Sequence, residues 1–144
     1  TTGTFNCAFG SAALATVSSG SNNTATGYTA LERNIANNNC AFGYQSLQIA
    51  TSGTNNVAIG VSSGLNTVTG TDNTFIGYNA SSTADVTGSI VIGSTAQATS
   101  SNQFVVGSST VNAGAITVTP IFTQSATWTV WINGVEYYIP LQAV

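Results

Sequence analysis

Four carboxyl groups, Glu32, Asp72, Asp85 and Glu136, are the side chains best suited to acid–base chemistry in this sequence. Two of them flanking a glycosidic bond would make a polysaccharide-cleaving pair. Asp72 stands just before Asn73 and Asp85 falls in the next loop, so these two are the candidate pair, and neighbouring chains offer a second way to bring carboxylates together. A solvated loop carboxylate is the simpler reading of each. Nucleophilic chemistry has less to work with. There is no His, so neither a Ser-His-Asp nor a Cys-His arrangement can be built. Two Cys without His exclude the common zinc sites. Arg33 is the only cationic side chain, and one cation cannot neutralise a phosphate backbone, which excludes nucleic acid as a partner. No catalytic residue, metal ligand or cofactor is assigned.

The elements that carry these residues must be built almost without ions. Charged residues make up 3% of the chain, against about 25% in an ordinary soluble domain. No run of about 18 apolar residues exists, so no transmembrane helix and no membrane insertion are expected. No basic segment followed by an apolar stretch opens the sequence, so no signal peptide is read in it. The absence of any Met points to a fragment of a longer chain. Disorder goes with low hydrophobicity and high charge, whereas 42% of these residues are hydrophobic. The expectation is an ordered structure surfaced by Ser, Thr and Asn.

A repeat organises the first three quarters of the chain. Aligning on a glycine after an apolar residue gives Asn6-Cys-Ala-Phe-Gly10, Asn23-Thr-Ala-Thr-Gly27, Asn39-Cys-Ala-Phe-Gly43, Asn56-Val-Ala-Ile-Gly60 and Asn73-Thr-Phe-Ile-Gly77. Ser89-Ile-Val-Ile-Gly93 and Gln103-Phe-Val-Val-Gly107 are looser copies. The glycines are 17, 16, 17, 17, 16 and 14 residues apart. A second glycine lies seven residues earlier at Gly3, Gly20, Gly53 and Gly70, with Ala36 in that place in the third copy. A period near 17 is too short for a helical-hairpin repeat and suits one turn of a β-solenoid. The fold expected is all-β: a parallel β-solenoid of about seven coils over residues 1–110, each coil contributing one short strand before its glycine.

Counting from that glycine as position 0, position −1 is Phe9, Thr26, Phe42, Ile59, Ile76, Ile92 and Val106. Large and apolar in six of seven copies, it is expected in the coil core. Position −2 is Ala8, Ala25, Ala41, Ala58, Phe75, Val91 and Val105, and points to the other face of the strand. Both faces are apolar, so both are expected to be buried. A thin coil has one inside. The small residues at −2 are therefore expected to meet another copy of the chain, and a homotrimer is the simplest assembly about an axis. Leu14, Leu31 and Leu47 at +4, with Leu65 one place late, are expected to close the coil interior.

Asn at −4 is expected at a tight corner, where it tolerates the left-handed region, and can hydrogen-bond from coil to coil. The earlier glycine is read as a corner in the same way. Cys7 and Cys40 share position −3 two coils apart, which is about 9.6 Å in a stack. A disulfide needs Cα atoms within roughly 7 Å, so none is expected between them. The Thr-x-Thr pairs that an ice-binding array would need (Thr24/Thr26, Thr67/Thr69, Thr117/Thr119) fall at different repeat positions and form no column. Asn22-Asn-Thr24 and Asn79-Ala-Ser81 match the glycosylation pattern, as accident would produce in so Asn-rich a chain.

The pattern resembles the head repeats of trimeric autotransporter adhesins, the YadA-like heads, whose units carry an Asn-x-x-Ala-Ile-Gly core; Asn55-Asn-Val-Ala-Ile-Gly60 is the nearest copy. Asn23-Thr-Ala-Thr-Gly-Tyr-Thr-Ala-Leu31 and Asn39-Cys-Ala-Phe-Gly-Tyr-Gln-Ser-Leu47 resemble even more the related repeats in phage tail fibres and in surface fibres of large DNA viruses. The resemblance covers roughly residues 1–110. It implies a left-handed parallel β-roll, three chains side by side, in an adhesive or receptor-binding fibre outside the cell, on a virion or cell surface. The coiled-coil stalk and membrane anchor of the autotransporters have no counterpart in this sequence, which favours a viral or phage fibre.

Residues 111–144 lose the period. Ala115–Gln124 reads as a strand interrupted by Pro120. Asn133-Gly134 between two β-rich runs signals a hairpin, with strands near 126–132 and 135–141. It carries Trp128, Trp131, Tyr137 and Tyr138. These aromatics either cap the open end of the solenoid or form a tip that contacts a glycan or protein receptor. Trp128 and Trp131 have opposite parity and should face opposite sides unless a bulge intervenes. The function expected is structural and adhesive, without catalysis. A bacterial adhesin head and a fibre-borne polysaccharide-cleaving enzyme are the alternatives.

Overall fold

The computed structural model describes residues 2–16 and 18–108, and the backbone of residues 127–132 and 135–140. It resolves into two compact units, Thr1–Gly114 and Ala115–Val144. The first is a parallel β-solenoid. Its main sheet has seven strands: β1 (Cys7–Phe9), β2 (Thr24–Thr26), β3 (Cys40–Phe42), β4 (Val57–Ile59), β5 (Thr74–Ile76), β7 (Ile90–Ile92) and β9 (Phe104–Val106). Each pairs in parallel with the next at the same repeat position, as Ala25 with Ala41 and Ala41 with Ala58. The seven strands bound about six full turns, one fewer than the number of repeat copies. Two-residue strands β6 (Ser81–Ser82) and β8 (Gln97–Ala98) form a second small ladder. The described residues contain no helix. In the second unit, β10 (Thr127–Ile132) and β11 (Val135–Pro140) pair antiparallel.

The interior face of the strands is the reverse of the sequence expectation. Ala25, Ala41, Ala58, Phe75 and Val91, at position −2, are fully buried in the coil. Position −1 points outward, with Phe9 75%, Phe42 59% and Ile59 43% exposed. The cause is volume. Leu31 and Leu47, both buried, already fill the lumen from the opposite wall, and only a small −2 side chain fits across from them. The fourth and fifth coils confirm the trade. Gly64 takes the +4 place of leucine, and the Phe75 ring packs there: a Cβ on Gly64 would lie 2.7 Å from Leu47 Cδ2 and 3.1 Å from Phe75 Cδ2. Leu65 thus does not occupy the leucine position of its coil.

Corners are made by three columns of left-handed residues. Position −5 includes Asn22, Asn38, Asn55 and Asp72, with φ of 60°, 62°, 59° and 60°. Position +2 includes Thr29 and Gln45, and position +4 includes Leu31 and Leu47, with φ of 50° and 47°. A left-handed leucine costs about 1–2 kcal/mol, which complete burial of the side chain offsets. The corner asparagine is therefore one residue earlier than the −4 Asn to which the sequence assigned it. The −7 glycines have no positive φ either. They are glycine because a Cβ there would strike the carbonyl oxygen of the equivalent residue in the next coil, as Gly70 O for Gly53. The glycines at position 0 need both freedoms: Gly60 has φ 131°, and its Cβ would lie 2.5 Å from Gly77 O.

The −4 asparagines form the polar spine of the fold, buried from Asn23 to Asn73 and exposed only at Asn6. Each Oδ1 accepts the backbone N–H of the next: Asn23 to Asn6, Asn39 to Asn23, Asn56 to Asn39 and Asn73 to Asn56, at 2.9–3.1 Å. Each Nδ2 donates to the −7 carbonyl of the next coil: Asn39 to Gly53, Asn56 to Gly70 and Asn73 to Val86, at 2.7–2.8 Å. Where Ala36 replaces the glycine, buried Asn34 steps in. Its Oδ1 accepts from Ala36 N and Asn39 Nδ2, both at 3.2 Å. Removing one spine side chain strands a buried donor and a buried acceptor, each costing about 1–3 kcal/mol. Asn56→Ala should therefore lower unfolding stability by about 2–4 kcal/mol in a denaturant titration, whereas Asn55→Ala, at an exposed left-handed corner, should cost about 1 kcal/mol.

Candidate functional site

The strands place their −3 and −1 residues on one outward face of the solenoid. Position −3 is Cys7, Thr24, Cys40, Val57, Thr74, Ile90 and Phe104. Alternation puts it on the same side as position −1, opposite the buried −2 column. Ile90 is 44% and Phe104 68% exposed. Position +1 extends the face at its edge, where Tyr28, Tyr44, Val61 and Tyr78 are also exposed. Tyr28 and Tyr44 stack, with ring centroids 5.4 Å apart and planes inclined at 13°. The backbone ladder holds these columns straight: Gly27 N donates to Phe9 O, Gly43 N to Thr26 O and Gly60 N to Phe42 O, all at 2.8 Å. No Asp, Glu, Lys or Arg occupies any of the three columns.

Such a face can bind, and its only proton-bearing side chains are hydroxyls and thiols. Its reactive groups are two thiols, the free cysteines Cys7 and Cys40, with Thr24 between them in the column. A contiguous, largely apolar stripe of about 460 Å² is comparable to the largest apolar patch of an ordinary soluble chain, and such patches often serve binding. The sequence misplaced it by one residue, because a large side chain at −1 reads as core until the lumen is known to be full.

The carboxylates of Glu32, Asp72 and Asp85 lie elsewhere and tie one coil to the next. Asp85 Oδ1 accepts from Val68 N at 2.6 Å and Thr69 N at 3.0 Å, and its Oδ2 from Thr69 Oγ1 at 3.1 Å. Asp72 Oδ1 accepts from Asn55 Nδ2 at 2.9 Å and Oδ2 from Thr71 Oγ1 at 3.3 Å. It ends an exposed ladder in which Asn22 Nδ2 donates to Asn38 Oδ1 and Asn38 Nδ2 to Asn55 Oδ1. An acceptor-only carboxylate suits the end of a row of donors. Glu32 Oε2 accepts from Gln48 Nε2 at 2.7 Å. The two aspartates thus hold different pairs of coils and share no hydrogen-bond partner. Among the described residues no three His, Cys, Asp or Glu gather where they could hold a metal ion.

The hairpin residues Trp128, Trp131, Tyr137 and Tyr138 are placed by backbone only. The ladder from Thr127↔Pro140 to Ile132↔Val135 is continuous, with Trp128 opposite Ile139 and Trp131 opposite Glu136. No bulge interrupts it, so Trp128 and Trp131 fall on opposite faces of the ribbon. Their side chains lie outside the described residues, as do the Asn133-Gly134 turn, the strand expected over 115–124 and the capping contact. Of the structural repeat, Asn6, Asn23, Asn39, Asn56 and Asn73 form the spine, and Gly10, Gly27, Gly43, Gly60, Gly77, Gly93 and Gly107 all have positive φ at the end of the strands. Asn34 escaped sequence reading because nothing in its coil's pattern marks it; only the missing glycine at Ala36 hints that a substitute is required.

Asp85 gives the solenoid a pH dependence. Burial alone would raise its pKa, but hydrogen bonds from Thr69 and Val68 outweigh that and hold it below the ordinary carboxylate value of 3.8. A carboxylate depressed in the folded state adds stability above its unfolded pKa and loses it as pH falls through the folded one. The melting temperature should therefore drop as pH falls below about 4, and Asp85→Asn should flatten that limb while lowering the neutral-pH plateau; a variant with the wild-type acid limb would remove Asp85 as its source.

Comparison with protein-family models, curated proteins and solved structures finds no match to this chain.

Proposed function

We propose that the chain is a structural and adhesive module of an extracellular fibre, the host-surface-binding part of a viral or phage fibre, in which three copies lie side by side as a left-handed β-roll. The observation that carries this reading is the uncharged apolar face formed by positions −3, −1 and +1 over seven strands. Six strand spacings make it about 29 Å long, and five residues make it about 16 Å wide. Counted as flat sheet, two such faces come to about 900 Å² and three to about 1,400 Å², against the ~1,200–2,000 Å² of stable assemblies. The best partner for knobs repeated at one coil spacing is a surface with the same spacing, which another copy of this chain supplies. The −1 side chains, not the small −2 residues, then form the contact between copies.

The proposed role is to hold and present, not to cleave. Asp72 and Asp85 are occupied with separate coils, which favours binding over hydrolysis as the use of the surface. Trp128, Trp131, Tyr137 and Tyr138 are the proposed contacts for a host glycan or protein receptor, because flat aromatic faces stack on sugars.

Light scattering should give about three times the chain mass of 14.5 kDa. Phe42→Ser, Ile59→Ser and Ile76→Ser together should give a single-chain mass with the β-sheet spectrum retained; a wild-type mass of one chain would overturn the assembly. On a glycan array, Trp128→Ala with Trp131→Ala should abolish binding, and undiminished binding would remove both residues from the contact.

A further inference from the structure

We propose that Thr24 and Thr26 set the register in which copies of this chain associate, each coil lying against the same coil of its neighbours. The proposal rests on the side-by-side assembly above and adds the residues that align it. Along the outward face, the two residues of each strand other than β2 compensate in size. Cys7 accompanies Phe9, Cys40 accompanies Phe42, Val57 accompanies Ile59, Ile90 accompanies Ile92, and Phe104 accompanies Val106. The bulk crosses from position −1 to position −3 along the stack while the strand pair stays about equally large. Water imposes no such constraint; a wall at constant distance does.

A stripe of this kind does not choose its own alignment. Sliding one copy past another by one coil, about 4.8 Å, replaces each apolar layer by a similar one. Strand β2 breaks the degeneracy. It is the only strand of the main sheet with a hydroxyl at both outward positions, since Thr74 is accompanied by Ile76. Among the described residues neither Thr24 nor Thr26 uses its hydroxyl in a hydrogen bond. In register, these hydroxyls meet their own kind and can donate and accept among themselves. One coil out of register Thr24 faces Cys7 or Cys40 and Thr26 faces Phe9 or Phe42, so the hydroxyls lose water and gain at best a weak thiol partner. A single polar layer in an apolar seam sets the alignment of coiled coils by the same physics, at some cost in stability.

The native cysteines read the register directly. Cys7 and Cys40 stand on the same face, one strand to either side of Thr24. A short bismaleimide applied to the full chain should join Cys7 to Cys7 and Cys40 to Cys40 between copies, identified as linked peptides by mass spectrometry. Thr24→Val with Thr26→Ile should keep the assembled mass, yet lower the yield of like pairs several-fold. A one-coil slip sets neither cysteine opposite another, and a two-coil slip produces mixed Cys7–Cys40 pairs. Thr24→Ser with Thr26→Ser, which keeps both hydroxyls, should retain the wild-type pattern. Like pairs at full yield in the Val/Ile variant, or their loss in the Ser/Ser variant, would overturn the role of the threonines. Mixed pairs in the wild type would overturn the register while leaving the assembly standing, whereas a wild-type mass of one chain overturns the assembly itself.

Discussion

The solenoid depends on one constraint: neighbouring coils must stay within hydrogen-bond reach around the whole circumference, not only along the strands. Strand pairing secures one wall. Elsewhere backbone bonds between coils continue through the turns, as from Leu31 N to Ser46 O and Asn38 N to Ser21 O, and side-chain amides add to them. The Asn spine does this inside, where each side chain binds a donor and an acceptor of the following coil. Its geometry demands that the −7 backbones approach so closely that no Cβ fits between most of them. The glycine, the asparagine and the 17-residue period are thus one requirement seen three times. An ion in this spine would be buried between stacked peptides with nothing to neutralise it, which keeps charge out of these positions.

The same constraint distributes bulk. A lumen bounded by short walls accepts one large side chain per level. Leucine supplies it in the second and third coils, and Phe75 supplies it where Gly64 makes room. Among the described residues Val86 and Val91 are the only further buried apolar side chains larger than alanine, and most −1 side chains face outward. The exposed stripe is where the bulk of the −1 and −3 side chains goes.

Much of this was legible in the letters of the sequence, and the failures have identifiable causes. Glycine spacing revealed the coil, its strand and its parallel stacking, because a Gly column has no other economical explanation. The face was inverted because hydropathy ranks Phe42 above Ala41 as a core residue, and only the occupied lumen reverses the order. The corner was shifted by one residue because consecutive asparagines, such as Asn22-Asn23 and Asn55-Asn56, look alike in sequence. One bends the backbone and the other bonds through it. Asn34 was invisible because its job exists only where Ala36 departs from the pattern.

The spine also has an evolutionary corollary. Because each interior asparagine finds the same two partners one level on, a duplicated stretch of about one period, spliced anywhere between Asn39 and Asn73, inherits every bond it interrupts. Recombination between near-identical repeats can then lengthen or shorten the rod in steps of about 4.8 Å without redesigning either end, which makes reach, rather than shape, the trait on which selection can act most freely.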